Sequence, residues 1–166
     1  GLTDVDIEQM DRISTSNGVG VIIAPNFSMG AVLLMELVKR VAPFFDYVDV
    51  IESHHEGKID SPSGTSIAIA KALVESSDFN RTMPEKESLL GAMGSEYKGV
   101  GIHSIRQPGS TASHKVVFGS KGQTLSLSHD TIGRECYMSG VAAAVIGVFK
   151  VTGVVVGLNE ILGLRW

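Results

Sequence analysis

The chain has 166 residues, 43% of them hydrophobic and 19% charged, enough apolar content for one packed domain or a domain and part of another, which excludes global disorder. A formal net charge of −4 argues against a nucleic-acid partner, which a basic face would announce. The single cysteine, Cys136, excludes an internal disulfide framework and a cysteine-built zinc site, and no apolar run reaches the roughly 18 residues of a membrane span. The expectation is a globular chain of a reducing compartment, the cytoplasm, with no membrane partner. The opening Gly1-Leu2-Thr3 shows neither an initiator methionine nor a basic-then-apolar leader, as expected of a processed or excised piece.

Thr3 followed by Asp4 and Asp6 reads as an N-cap with acidic residues in the first turn; Val5, Ile7 and Met10 carry the helix to about Ser14, and Asn17-Gly18 stops it. Residues 19–24, rich in Val and Ile between Gly18 and Pro25, read as a buried strand of parallel type. After Pro25-Asn26-Phe27, Ser28 is placed to cap a long helix whose Leu34, Leu37, Val38, Val41 and Phe45 share one face, with Pro43 bending or ending it. Residues 47–52 alternate as a second strand and run directly into His54-His55. Ser63-Gly64-Thr65-Ser66 then opens a helix that continues to about Glu75. Residues 77–98 read as a polar surface excursion. Strands at 100–106, 114–120 and 123–129 follow, antiparallel and separated by turns at Pro108-Gly109 and Lys121-Gly122. From Gly133 the sequence returns to helix as far as Phe149, and 153–164 is a closing apolar stretch. The fold class is therefore α/β at the start, then a mixed or antiparallel sheet (α+β), then a closing helix.

Chemistry concentrates in residues 52–65, Glu52-Ser-His54-His55-Glu-Gly-Lys58-Ile-Asp60-Ser-Pro-Ser63-Gly64-Thr65. Adjacent histidines leaving a strand end point to opposite sides, so they do not share one task. An imidazole, with an ordinary pKa of about 6.5, moves protons near neutral pH. Lys58 adds a fixed positive charge, and the unpaired N–H groups of a helix start at Gly64-Thr65 favour an anion such as a carboxylate. Together these describe a pocket for an anionic small molecule with a proton donor. The plainer readings are surface histidines and a routine helix cap. No third ligand sits at metal-binding spacing, so no metal is expected. Ala24-Pro25-Asn26-Phe27-Ser28 lies where a strand becomes a helix, the side of an α/β sheet on which ligands bind, although a plain capped turn explains it too. His103, Arg106, His129 and Arg134 flank the later strands and read as solvated faces or sheet pairs. No Gly-x-Gly-x-x-Gly and no Walker pattern occurs.

The 52–65 stretch closely resembles the signature of the dihydrodipicolinate reductases of lysine biosynthesis, and Ala24-Pro-Asn-Phe27-Ser28 resembles that family's second motif. His103-Ser-Ile-Arg106, Pro108-Gly109, Gly122-Gln-Thr124 and His129-Asp130 are similar to its sheet region, so the resemblance spans essentially the whole chain. It implies His54 as proton donor assisted by Lys58, with His55, Gly64 and Thr65 holding the carboxylates of a dicarboxylate substrate. It implies that Ala24, Pro25, Asn26 and Phe27 lie against the nicotinamide end of NADPH or NADH, while the main pyrophosphate site, on the family's N-terminal Rossmann half, is absent from this chain. Under the resemblance, residues 1–27 are the end of a nucleotide-binding domain, 28–132 a substrate-binding and tetramerisation domain, and 133–166 a closing helical segment. The implied assembly is a homotetramer. The alternative is a non-catalytic oligomerisation or small-molecule-binding module derived from such a reductase.

Overall fold

The computed structural model describes residues 2–164. The elements run α1 (Asp4–Ser16), β1 (Gly20–Ile23), α2 (Met29–Val41) and β2 (Tyr47–His54), then α3 (Gly64–Ser76) and β3 (Ser95–Tyr97). Strands β4 (Val100–Arg106), β5 (Ala112–Ser120) and β6 (Gln123–Thr131) follow, and α4 (Met138–Gly147), β7 (Gly153–Val156) and α5 (Leu158–Ile161) come last. Internal contacts divide them into a central unit, Leu34–Gly133, and a split unit made of the residues up to Leu33 and those from Arg134 onward.

The split unit begins as its sequence dictates. Thr3 accepts the Asp6 N–H at 3.3 Å and its own N–H donates to Asp6 Oδ2 at 2.7 Å, a reciprocal capping box. Beyond Asn17, Gly18 leaves the helix at φ 64°. β1 pairs in parallel with β7, Gly20 opposite Gly153 through Ile23 opposite Val156. The stretch from Gly133 is thus not helical throughout: its Gly-Val-Val-Val run is a strand. A four-residue apolar run is compatible with either state, and only its partner β1 decides. Gly153 is required there, because its φ is 83° and a Cβ at this position would lie 2.6 Å from Asp11 Oδ1. That same oxygen accepts the Val154 N–H at 2.8 Å and ties α1 to the strand.

The central unit is a five-stranded sheet in the order β3-β4-β2-β5-β6 with helices on its apolar face. Leu34, Val38 and Ala42 meet Ile69, Ala70 and Leu73 of α3 over Val48, Val50, Val100, Ile102, Val116 and Phe118 of the sheet. Each such side chain, fully buried, stabilises the fold by about 1.5–3 kcal/mol. Phe118 also meets Phe45 with ring centroids 5.5 Å apart. Pro43 ends the long helix in a single 3-10 turn, Ala42–Phe44.

The sheet departs from the sequence expectation in one respect that shapes the site. β4 and β5 are not a hairpin. β2 lies between them, parallel to β4 and antiparallel to β5, while β3, inside the 77–98 excursion, pairs antiparallel to β4. Turn signals at Pro108-Gly109 report only that the chain reverses, and the most deeply buried strand takes the middle place. Along β2 burial alternates strictly, and its core-facing side reads Val48, Val50, Glu52, His54. The core face is apolar for half the strand and then turns polar.

Candidate active site

The polar end of β2 gathers groups from three strands and one helix start. Glu52 is fully buried. Its Oε2 meets His54 Nδ1 and accepts from Arg106 Nη1 at 2.9 Å; its Oε1 accepts from Arg106 Nη2 at 2.8 Å and from the Ser63 N–H at 3.2 Å. The sheet register explains the convergence, since His54 stands opposite Arg106 of β4 and Glu52 opposite His114 of β5. His114, also buried, packs edge-on to His54 with ring centroids 5.4 Å apart. Its Nε2 lies 3.2 Å from Ser63 Oγ.

Burial alone would raise the Glu52 carboxyl pKa, but hydrogen bonds from Arg106, Ser104 and His54 outweigh it and hold the group down at about 2. Glu52 is therefore ionised and paired. Burial, helped by the positive side of His54, pushes His114 down to about 4, so at neutral pH it is an uncharged spacer. A bidentate guanidinium on a buried carboxylate is the strongest form of this pairing. The carboxylate fixes the His54 ring through Nδ1 and leaves Nε2 with no hydrogen-bond partner among the described residues.

Ser63 caps α3, its Oγ accepting the Ser66 N–H at 3.2 Å. The first two helical N–H groups, those of Gly64 and Thr65, have no intrahelical acceptor. Nothing lies within 4 Å of where a Gly64 Cβ would be, so the approach to them is open. Lys58 Nζ pairs with Asp60 Oδ1 at 2.7 Å, and the Asp60 carbonyl accepts from Arg106 Nη2 at 2.7 Å. The central unit thus brings His54, Lys58, Gly64 and Thr65 into one hydrogen-bonded neighbourhood. His55 follows at the end of β2, exposed, with its ring beside Gly57.

Ala24, Pro25, Asn26 and Phe27 belong to the split unit, at the carboxyl end of β1. Asn26 Oδ1 accepts the Ser28 N–H at 2.8 Å. An apolar cavity of about 260 Å³ opens beside Phe27, lined also by Ile22, Val141, Ala144, Val145 and Val148. A turn with a half-buried ring and no cation suits an uncharged planar group, not a phosphate. Among the described residues, no three of His, Cys, Asp and Glu are grouped to hold a metal ion.

Sequence reasoning missed Glu52 as a partner, Arg106 as its clamp and His114 as a buried spacer. The period-2 pattern of β2 does put Glu52 on the Val48–Val50 face, and a charged residue continuing a core face is a signal in itself. Nothing local to Arg106 or His114 marks them, because their partner strand depends on the crossover.

Comparison with known proteins follows the same residues. A family model described as dihydrodipicolinate reductase, C-terminus, matches residues 30–162. The chain is 43% identical over 163 residues to a 4-hydroxy-tetrahydrodipicolinate reductase of Limosilactobacillus fermentum, covering 98% of this chain and 63% of that protein. It is 38% identical over 164 residues to one of Dehalococcoides mccartyi, covering 99% and 62%. The chain therefore spans less than two thirds of the length of these relatives. A dipicolinate-bound dihydrodipicolinate reductase from Paenisporosarcina sp. TG-14 is similar in structure, with a TM-score of 0.87, 40% identity, and coverage of 96% of this chain and 61% of that one.

Proposed function

Because the chain belongs to the dihydrodipicolinate reductase family, we propose that it carries the substrate-holding and proton-donating groups of an NAD(P)H-dependent 4-hydroxy-tetrahydrodipicolinate reductase of the diaminopimelate route to lysine. The observation that supports this most is the His54 ring, fixed at Nδ1 by Glu52 and unpartnered at Nε2, one carboxylate away from the helix start at Gly64-Thr65. A non-catalytic binding module would gain nothing from an oriented histidine at its anion site.

In this reading the Gly64 and Thr65 N–H groups, Lys58 and His55 hold the two carboxylates of a planar cyclic substrate and fix its pose. NADPH or NADH, when bound, supplies hydride to an unsaturated carbon of that ring. The atom across the reduced double bond gains electron density, and His54 delivers the balancing proton from Nε2. Ala24, Pro25, Asn26 and Phe27 are the residues offered to the nicotinamide end. With no Gly-x-Gly-x-x-Gly turn in the sequence, these residues alone give no tight cofactor binding. The edge strand β6, largely exposed, supports a homotetramer built by sheet extension. No helix among the described residues is long and apolar enough to cross a membrane, and a lone free cysteine suits the cytoplasm.

Titration of the isotopically labelled chain with pyridine-2,6-dicarboxylate tests the substrate site. Shifts centred on His54, Lys58, Gly64 and Thr65 are expected, and Gly64→Val, which fills the open approach, is expected to abolish them without unfolding the chain. A saturating titration that moves none of these signals overturns the reading. Light scattering that gives a clean monomer across micromolar concentrations overturns the tetramer.

A further inference from the structure

We infer that Glu52 is the positioning residue of this site: clamped by Arg106, its buried carboxylate dictates the ring orientation and tautomer of His54 and anchors the segment that carries Lys58. The inference rests on the reading of His54 as proton donor given above, and it concerns how that donor is held.

Glu52 is not placed to react. Its side chain has no exposed surface, and each oxygen is already engaged, Oε1 by Ser63 N–H and Arg106 Nη2, Oε2 by Arg106 Nη1 and His54 Nδ1. A carboxylate this deep with this many donors stays ionised and accepts only. His54 Nδ1 must therefore carry a hydrogen whether the ring is charged or neutral. The proton that the ring gives up leaves from Nε2 and returns there, and the neutral ring is the Nδ1–H tautomer. Without such an acceptor the two tautomers compete, and half the ring's orientations aim the wrong nitrogen outward.

Arg106 extends the same control to the loop. The guanidinium that forks onto Glu52 also donates from Nη2 to the Asp60 carbonyl at 2.7 Å, and the Asp60 carboxylate holds Lys58. The Ser63 N–H on Oε1 fixes the entry to α3, where Gly64 and Thr65 present their N–H groups. One buried ion pair thus sets the donor, the cation and the anion-binding helix start in a single frame.

Long-range proton–nitrogen NMR of the His54 imidazole, recorded at alkaline pH in the 166-residue chain, reads the tautomer directly. The wild-type chain is expected to show a protonated Nδ1 and a pyridine-like Nε2. Glu52→Gln, whose amide oxygen still accepts, is expected to retain the Nδ1–H form, and Glu52→Ala to lose it. Arg106→Met is expected to weaken pyridine-2,6-dicarboxylate binding about tenfold, the equivalent of one charge-assisted hydrogen bond. A wild-type His54 in the Nε2–H form overturns the inference, and needs no variant to fold. So does a folded Glu52→Ala chain with an unchanged tautomer. An Nδ1–H tautomer with no response to the dicarboxylate counts against the substrate reading and leaves the positioning role standing.

Discussion

Strand β2 carries two carboxylates on opposite faces, and each has collected one arginine and one histidine. Asp49 Oδ1 meets Arg81 Nη1 at 3.1 Å and His103 Nε2 at 2.9 Å; Glu52 meets Arg106 twice and His54 once. The ingredients are the same and the results differ. Asp49's side chain is 44% exposed and engages a single oxygen, and Arg81 is shared with Glu96 at 3.7 Å and with the Met93 carbonyl. That cluster clips the 77–98 segment to the sheet. His103 is engaged by it, Nε2 on Asp49 and Nδ1 beside Gly94. At Glu52 the carboxylate is saturated from inside, so the histidine is held by one nitrogen and offers the other. Composition alone does not separate a clip from a site; burial of the acceptor and the free valence of the ring do.

Truncating the two carboxylates tests this distinction most severely. Glu52→Ala strands Arg106 beside a buried hole and is expected to cost about 3–5 kcal/mol in urea denaturation. Asp49→Ala removes a half-exposed carboxylate and leaves Arg81 its Glu96 and Met93 carbonyl partners, and is expected to cost about 1 kcal/mol or less. Equal losses would erase the contrast. The histidines sharpen it next: on the function proposed above, and in a full-length reductase that joins this chain to a nucleotide-binding half, His54→Gln is expected to lower kcat by about 10²-fold or more, whereas His103→Gln leaves steady-state turnover within about twofold.

Acid should reach the Glu52 cluster through His114. Its folded pKa of about 4 lies below the ordinary 6.5, so between those values the unfolded chain binds the proton and the folded chain does not. The contribution is complete above pH 6.5 and is lost as pH falls towards 4, at up to about 1.4 kcal/mol per pH unit. Glu52, held at about 2 against an ordinary 4.5, adds loss of the same sign from about 4.5 downward. Stability curves measured at several pH values should flatten between 6.5 and 4 in His114→Gln; an unchanged slope would remove His114 from the account. Salt gives the smallest effect. Raising it from about 0.1 to about 1 M should diminish the cost of Asp49→Ala by a few tenths of a kcal/mol and leave that of Glu52→Ala unchanged, because the half-exposed Asp49 carboxylate is screened and the buried Glu52 carboxylate is not. Paired melts at the two salt levels check this.

Much of the fold was legible because its signals are local. Thr3 and Asp6 announce α1, Ser63 announces α3, and alternation from 47 to 52 announces β2 with its buried face. His54, Lys58 and Gly64-Thr65 were legible as a cluster because they are close in sequence. Arg106 and His114 were not, since each acquires its partner only when β2 slips between β4 and β5, and no turn residue encodes that choice. β7 was hidden for a related reason: Gly153 to Val156 becomes a strand only against β1. Pairings of high sequence separation are what a window-based reading cannot see.

The β1–β7 pairing has a consequence for how the chain is made. Everything the central unit needs has been synthesised once Gly133 is out, whereas Gly20 waits for Gly153, with the whole central unit between them. Loop-closure entropy rises only logarithmically with such a separation, so the final pairing is thermodynamically cheap, yet it is necessarily late. During vectorial synthesis α1 and β1 emerge before the central unit and pair only after it, with Val21, Ile22 and Phe27 lacking their partners from α4 and β7 in the interval. Those residues are where a chaperone would be expected to hold the nascent chain.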